Sequence, residues 1–186
     1  MKISDVVKTT ATFLAREDVV DYLSNTDNAQ TSNETLETVQ LLTRLTNLVI
    51  RELAEGLIVM KKEVILNGQT SVKFIDLDIA PLDLLAVYGK DGERLEYSLT
   101  SYGVEARNPM YKLEYSYLPE NYGLTDDIGI FDKPVTVGTL TYGVLAEFCI
   151  TQARFDEAVM WNERFVELVH SLVKPKNGRI KGRSFI

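Results

Sequence analysis

The chain has 186 residues, 45% hydrophobic and 25% charged, with a formal net charge of −7. This composition suits a folded chain with a sizeable core and excludes global disorder. No apolar run approaches the roughly 20 residues a spanning helix needs, and the first residues lack the apolar block of a secretion signal. One cysteine excludes an internal disulfide, and one histidine excludes any chemistry that needs two imidazoles. The basic groups are unevenly placed. Lys174, Lys176, Arg179, Lys181 and Arg183 occupy the last residues with no acid among them, so the rest of the chain is strongly acidic. An acidic body does not adhere to a phosphate backbone by its general field.

In chain order, Ile3, Val7, Ala11 and Leu14 lie at helical spacing. A second short helix is expected over Asp18 to Ser24, burying Val19, Tyr22 and Leu23. After a polar, turn-rich stretch, Thr31 and Glu34 have capping-box spacing. Leu36, Val39, Leu42, Leu45, Val49 and Leu53 then form a long stripe, ended by Gly56. Leu41 and Leu48 widen it, so this helix is expected to be covered on more than one side.

The middle of the chain changes character. Seven of the nine tyrosines fall between Tyr88 and Tyr122. Asn67-Gly68 between Val64–Leu66 and Val72–Ile75 predicts a hairpin. Lys90-Asp91-Gly92 predicts a second, joining Leu84–Tyr88 to Arg94–Tyr97. Asn108-Pro109 predicts a break between strands Tyr102–Ala106 and Tyr111–Tyr117. In the latter, Lys112, Glu114 and Ser116 alternate with Leu113, Tyr115 and Tyr117, which predicts one wet face. Pro119 to Lys133 reads as a loop.

Helical spacing returns after Pro134, with Leu140, Val144, Leu145 and Phe148 on one face. A further helical stretch, continuous with it or separate, carries Phe155, Ala158, Val159, Trp161, Phe165, Leu168, Val169 and Leu172. Trp161 reads as a core anchor. Glu157, Asn162, Glu163, Arg164, Glu167 and His170 form the opposite face. The expected fold is α+β: a helical bundle from the N- and C-terminal helices, with an inserted small antiparallel β-sheet domain. The expected boundaries are 1–56 and 134–173 for the two parts of the bundle, 57–133 for the insert and 174–186 for a basic tail.

Chemical motifs are sparse. No phosphate-cradling glycine loop is present. Asp76, Asp78 and Asp83, and Asp126-Asp127, could supply hard oxygen ligands for calcium or magnesium, but turn or strand-end roles explain them better. Cys149 reads as a buried thiol and His170 as a surface imidazole near a helix end. No catalytic residue, cofactor site or metal site is therefore assigned, and the chain is expected not to be an enzyme.

Tyr142-Gly143-Val144-Leu145-Ala146-Glu147-Phe148-Cys149, Arg154-Phe155, Ala158, Trp161-Asn162, Arg164-Phe165 and the stretch Arg179 to Phe185 resemble the tailed-phage head–tail connectors, the adaptor and tail tubular proteins beneath the portal. The resemblance covers about 45 residues. It implies a homo-oligomeric ring, commonly of about twelve copies, in the virion neck between capsid and tail. Such a ring, made in the host cytoplasm, binds the portal protein above and a tail or nozzle protein below. It extends the DNA channel, helps retain the genome and lets DNA pass without specific binding, and involves no membrane. It also implies a docking role for the tail, which falls here on Lys174, Lys176, Arg179, Lys181, Arg183, Phe185 and Ile186. Leu41, Leu48, Tyr115 and Tyr117 are the candidates for subunit contacts. The alternatives are another phage neck or tail-completion protein, or a small binding or regulatory module with a basic tail.

Overall fold

In a computed structural model, residues 1–24, 31–56 and 58–173 are described. The described residues form a mixed α+β structure with five α-helices and a four-stranded antiparallel sheet. α1 spans Ile3–Phe13, α2 Glu17–Ser24 and α3 Asn33–Glu55. The strands are β1, Met60–Lys73; β2, Asp83–Tyr88; β3, Tyr97–Leu99; and β4, Gly103–Tyr117. α4, Val137–Thr151, and α5, Phe155–Val173, follow.

The helix starts show how local chemistry sets the elements. Ser32, rather than Thr31, caps α3: its hydroxyl accepts the Thr35 amide at 3.1 Å. Asp18, at the start of α2, receives a two-point contact from Arg16, both distances 2.9 Å, and a hydrogen bond from the Thr35 hydroxyl at 2.7 Å. These bonds join the first turns of α2 and α3. They also hold the Asp18 carboxyl below the usual carboxylate range, Arg16 contributing most and Thr35 next. Val19 is buried, whereas Tyr22 and Leu23 are only half-buried against the core.

α4 is the centre of the helical packing, in contact with α1, α3 and α5. It is apolar on most sides, as a helix covered by several neighbours must be. Gly143 marks its closest crossing. A Cβ there would sit 2.7 Å from Val49 and 3.1 Å from the Phe165 ring. α4 and α5 are separate helices. Ala153 turns the chain between them at φ 55°, and the Arg154 amide donates back to the Cys149 carbonyl at 2.8 Å.

The sheet differs from the expected pair of hairpins. β1 is one long strand paired antiparallel with the equally long β4, in the order β1-β4-β2, with β3 also on β4. Asn67-Gly68 does not turn the chain. Ile65 pairs with Lys112 and Gln69 with Met110, so residues 66–68 bulge opposite a single residue, with Gly68 at φ +79°. Asn108-Pro109 does not break β4 either. The next pair is Ser71 with Glu105, so residues 106–109 bulge in turn, and Pro109 sits where no ladder donor is required. The expected turn at Lys90-Asp91-Gly92 is present, with Tyr88 bridging Arg94 and the Leu95 amide on the Val87 carbonyl at 2.9 Å. Beyond Leu95 the chain leaves β2 and joins β4 as β3.

The loop after β4 ties the sheet to the helices. Phe131 bridges Met60, Asp127 bridges Lys2, and Ile128 and Phe131 are buried. Asn47 of α3 uses both ends of its amide on Tyr122: Nδ2 donates to the carbonyl at 2.9 Å, and Oδ1 accepts the amide at 2.7 Å. Buried side chains form one continuous cluster through helices and sheet, from Ile3 and Leu42 to Met60, Leu113 and Val144.

Candidate functional site

Two of the four residues expected at subunit contacts are inside the protein. Tyr115 is fully buried and Tyr117 nearly so. Their strand alternates as expected, but its Leu113–Tyr115–Tyr117 side faces the core, leaving no ring surface for a neighbour. Tyr115 Oη reaches Asp78 at 3.4 Å, and burial raises its pKa. Burial pushes the Tyr117 hydroxyl up to about 12. Leu48, by contrast, is 42% exposed, and Leu41 is half-buried at the edge of the core. Lys174, Lys176, Arg179, Lys181, Arg183, Phe185 and Ile186 lie outside the described residues.

The Asp78, Asp126 and Asp127 carboxylates, three of the candidate cation ligands, have other partners, Asp127 pairing with the N-terminal ammonium. Asp78 pairs with Lys62 and accepts from Tyr115. The Asp83 amide and carbonyl bind the Ser116 hydroxyl. Asp126 accepts the Gly123 amide at 2.7 Å. Among the described residues no group of three or more His, Cys, Asp or Glu side chains is placed to hold a metal ion. No helix there is long and apolar enough to cross a membrane. Cys149 is buried, and desolvation raises its thiol pKa, which disfavours the thiolate.

Trp161 is not a core anchor. It lies half-buried at the surface, stacked on Tyr142 at 5.7 Å and an interplanar angle of 20°, with Phe13 edge-on to both rings. Arg164 covers the Trp161 ring from 5.1 Å. Helical spacing places Trp161 beside Ala158 and Phe165, but the inward positions are filled by those two smaller contacts with α4. The cluster draws α1, α4 and α5 together.

The remaining surface features are apolar. At the end of the sheet farthest from the helices, Ile75 is 88% and Tyr102 81% exposed, beside Phe74 and Leu99. Register brings them together, since Lys73 pairs with Gly103 and the Phe74 amide donates to the Tyr102 carbonyl at 2.8 Å. The sequence carried a signal for this: Phe74-Ile75 directly after β1 and Tyr102 directly before β4. Reading β1 as a hairpin hid it by folding that end back. On α5, Phe155 is 64% and Val159 59% exposed, and Met160 and Val166 are exposed as well. Val166 and His170 also border a small cleft with Glu52, Leu53 and Gly56 of α3. Burial, then the neighbouring Glu147 and Glu55, raises the Glu52 pKa there.

Among the described residues these are the main exposed apolar surfaces open to contact. No protein-family model matches the chain, and no curated protein matches it.

Proposed function

We propose that the protein is a structural subunit of a phage head–tail connector, a ring in the virion neck beneath the portal that continues the DNA channel and receives the tail. In this reading the N- and C-terminal helices form a bundle that builds the ring, and the β strands form an inserted arm. The observation that carries it is the presence of two separate exposed apolar surfaces on one small acidic subunit: the outward side of α5, and the sheet end at Phe74, Ile75, Leu99 and Tyr102. A β1 strand of 14 residues holds the second surface roughly 40 Å from its start. A building unit that meets neighbours of its own kind and a different protein beyond them needs exposed contact surface in more than one place.

Charge supports the same reading. Many copies of a −7 subunit repel a passing polyanion, so the duplex slides instead of adhering. The basic sequence at residues 174–186, ending in Phe185 and Ile186, suits an acidic portal surface with apolar pockets. The test uses tailless capsids that display the portal. Added full-length protein is expected to give closed rings at the portal vertex by negative-stain imaging. Deletion of residues 174–186 is expected to leave a folded subunit that no longer joins the capsid. Absence of rings with the full chain would overturn the reading, and normal assembly of the deletion variant would remove the tail from it.

A further inference from the structure

α3 and α5 each carry one long outward face that the other described residues leave largely open, Leu41 packing on the core at its edge and Val166 and His170 bordering the cleft to α3. On α3 the face reads Glu37, Leu41, Arg44, Leu48 and Arg51, all exposed except the half-buried Leu41. On α5 it reads Asp156, Val159, Glu163, Val166 and His170, all exposed. The steps are four, three, four, three on α3 and three, four, three, four on α5. This is the spacing that keeps a seam of side chains against a second helix. Among the described residues, Arg44, Arg51, Asp156 and Glu163 have no ion-pair partner within the subunit.

Laid antiparallel, the two faces match at every position. Leu41 meets Val166 and Leu48 meets Val159. Arg44 meets Glu163, Arg51 meets Asp156, and Glu37 meets His170. A parallel alignment keeps the apolar pairs but sets Arg44 against Asn162 and Arg51 against the buried Val169, losing both charge pairs. Pairing α5 with another α5 would set acid against acid, and pairing α3 with another α3 antiparallel would set arginine near arginine. The two faces are therefore complementary to each other and not to themselves.

We infer that the outward face of α3 on one copy packs antiparallel against the outward face of α5 on the next copy. The inference rests on the ring reading, because a contact between two different faces of one chain propagates head to tail and closes only if the rotation permits. Leu41, Leu48, Val159, Val166 and the neighbouring Phe155 supply the buried area. The exposed charge pairs fix direction and register more than strength.

The test is disulfide trapping in the full chain, with folding of every variant checked by circular dichroism. The double variant Leu48→Cys/Val159→Cys, oxidised at rising concentration, is expected to give a ladder of covalent oligomers on non-reducing gels. Each single variant, whose one engineered thiol faces no second thiol across the contact, is expected to stay monomeric, and a dimer from either would overturn the pairing of unlike faces. Adding Arg44→Glu or Glu163→Arg to the double variant should cut the ladder about tenfold, and adding both should restore it. A ladder from Leu48→Cys/Val166→Cys instead would overturn the antiparallel register. The oxidations are run with the portal-bearing tailless capsids present, and the same samples are imaged by negative stain. A ladder with rings supports the contact and the ring reading together. A ladder of open chains supports the contact and overturns the ring. Rings without a ladder overturn the contact and leave the ring standing, and neither rings nor a ladder at any concentration overturns the contact.

Discussion

α4 and α5 are neighbours in one helical hairpin with a similar share of hydrophobic residues, α5 carrying five charged side chains to one on α4, and the protein treats their apolar residues in opposite ways. α4 buries Leu140, Val144, Leu145, Ala146 and Cys149 against helices on several sides. α5 buries only Ala158 and Val169, and leaves Phe155, Val159 and Val166 in water. Hydrophobic content alone therefore says little about burial. The arrangement of neighbours decides it, and the apolar residues that the subunit does not cover are the ones to ask about.

Gly143→Val tests the α4 half of the contrast and carries the largest expected effect. The added branches meet Val49 and the Phe165 ring at the helix crossing. Overpacking there should cost about 2–4 kcal/mol, read from urea unfolding. Trp161→Ala lies between the extremes. It removes a half-buried ring and its contacts with Phe13, Tyr142 and Arg164, and should cost about 1–2 kcal/mol.

A polar contact on the surface sets the next step down. Asp18→Asn breaks the pairing with Arg16 and weakens the bond from Thr35, and solvent screening limits the cost to about 0.5–1 kcal/mol at pH 7. The folded carboxyl is held below its unfolded pKa of about 3.9, so its stabilisation is complete above that value and fades as pH falls toward the folded pKa. The gap between wild type and Asp18→Asn should therefore close as unfolding is measured from pH 7 down to strongly acid pH. Val159→Ser has the smallest expected effect on the subunit, under about 0.5 kcal/mol, because its side chain is already exposed. A loss above 2 kcal/mol, of the order expected for α4, would erase the contrast between the helices.

Helical periodicity made the five helices legible, because apolar residues at steps of three and four have few other uses. α2 and the ends of α3 needed only small adjustments. The sheet was less legible for a definite reason. Asn67-Gly68 satisfies a positive φ, and a bulge inside a long strand requires that as much as a turn does. Pro109 likewise marks a place without a ladder bond, and a bulge provides one. The strand alternation correctly put Tyr115 and Tyr117 on one side, but alternation does not say which side meets the core. For the exposed surfaces, Leu48 was visible as excess width in its stripe. Phe155 and Val159 were hidden because they continue a pattern whose other members are covered.

The double hydrogen bond from Asn47 to the Tyr122 backbone makes α3 the anchor point of the sheet's connecting loop. A push or twist delivered to the distant strand ends reaches the helices through this joint together with the Lys2–Asp127 and Met60–Phe131 bridges and the shared core. Among these ties the Asn47 amide is the one a single side-chain replacement would remove.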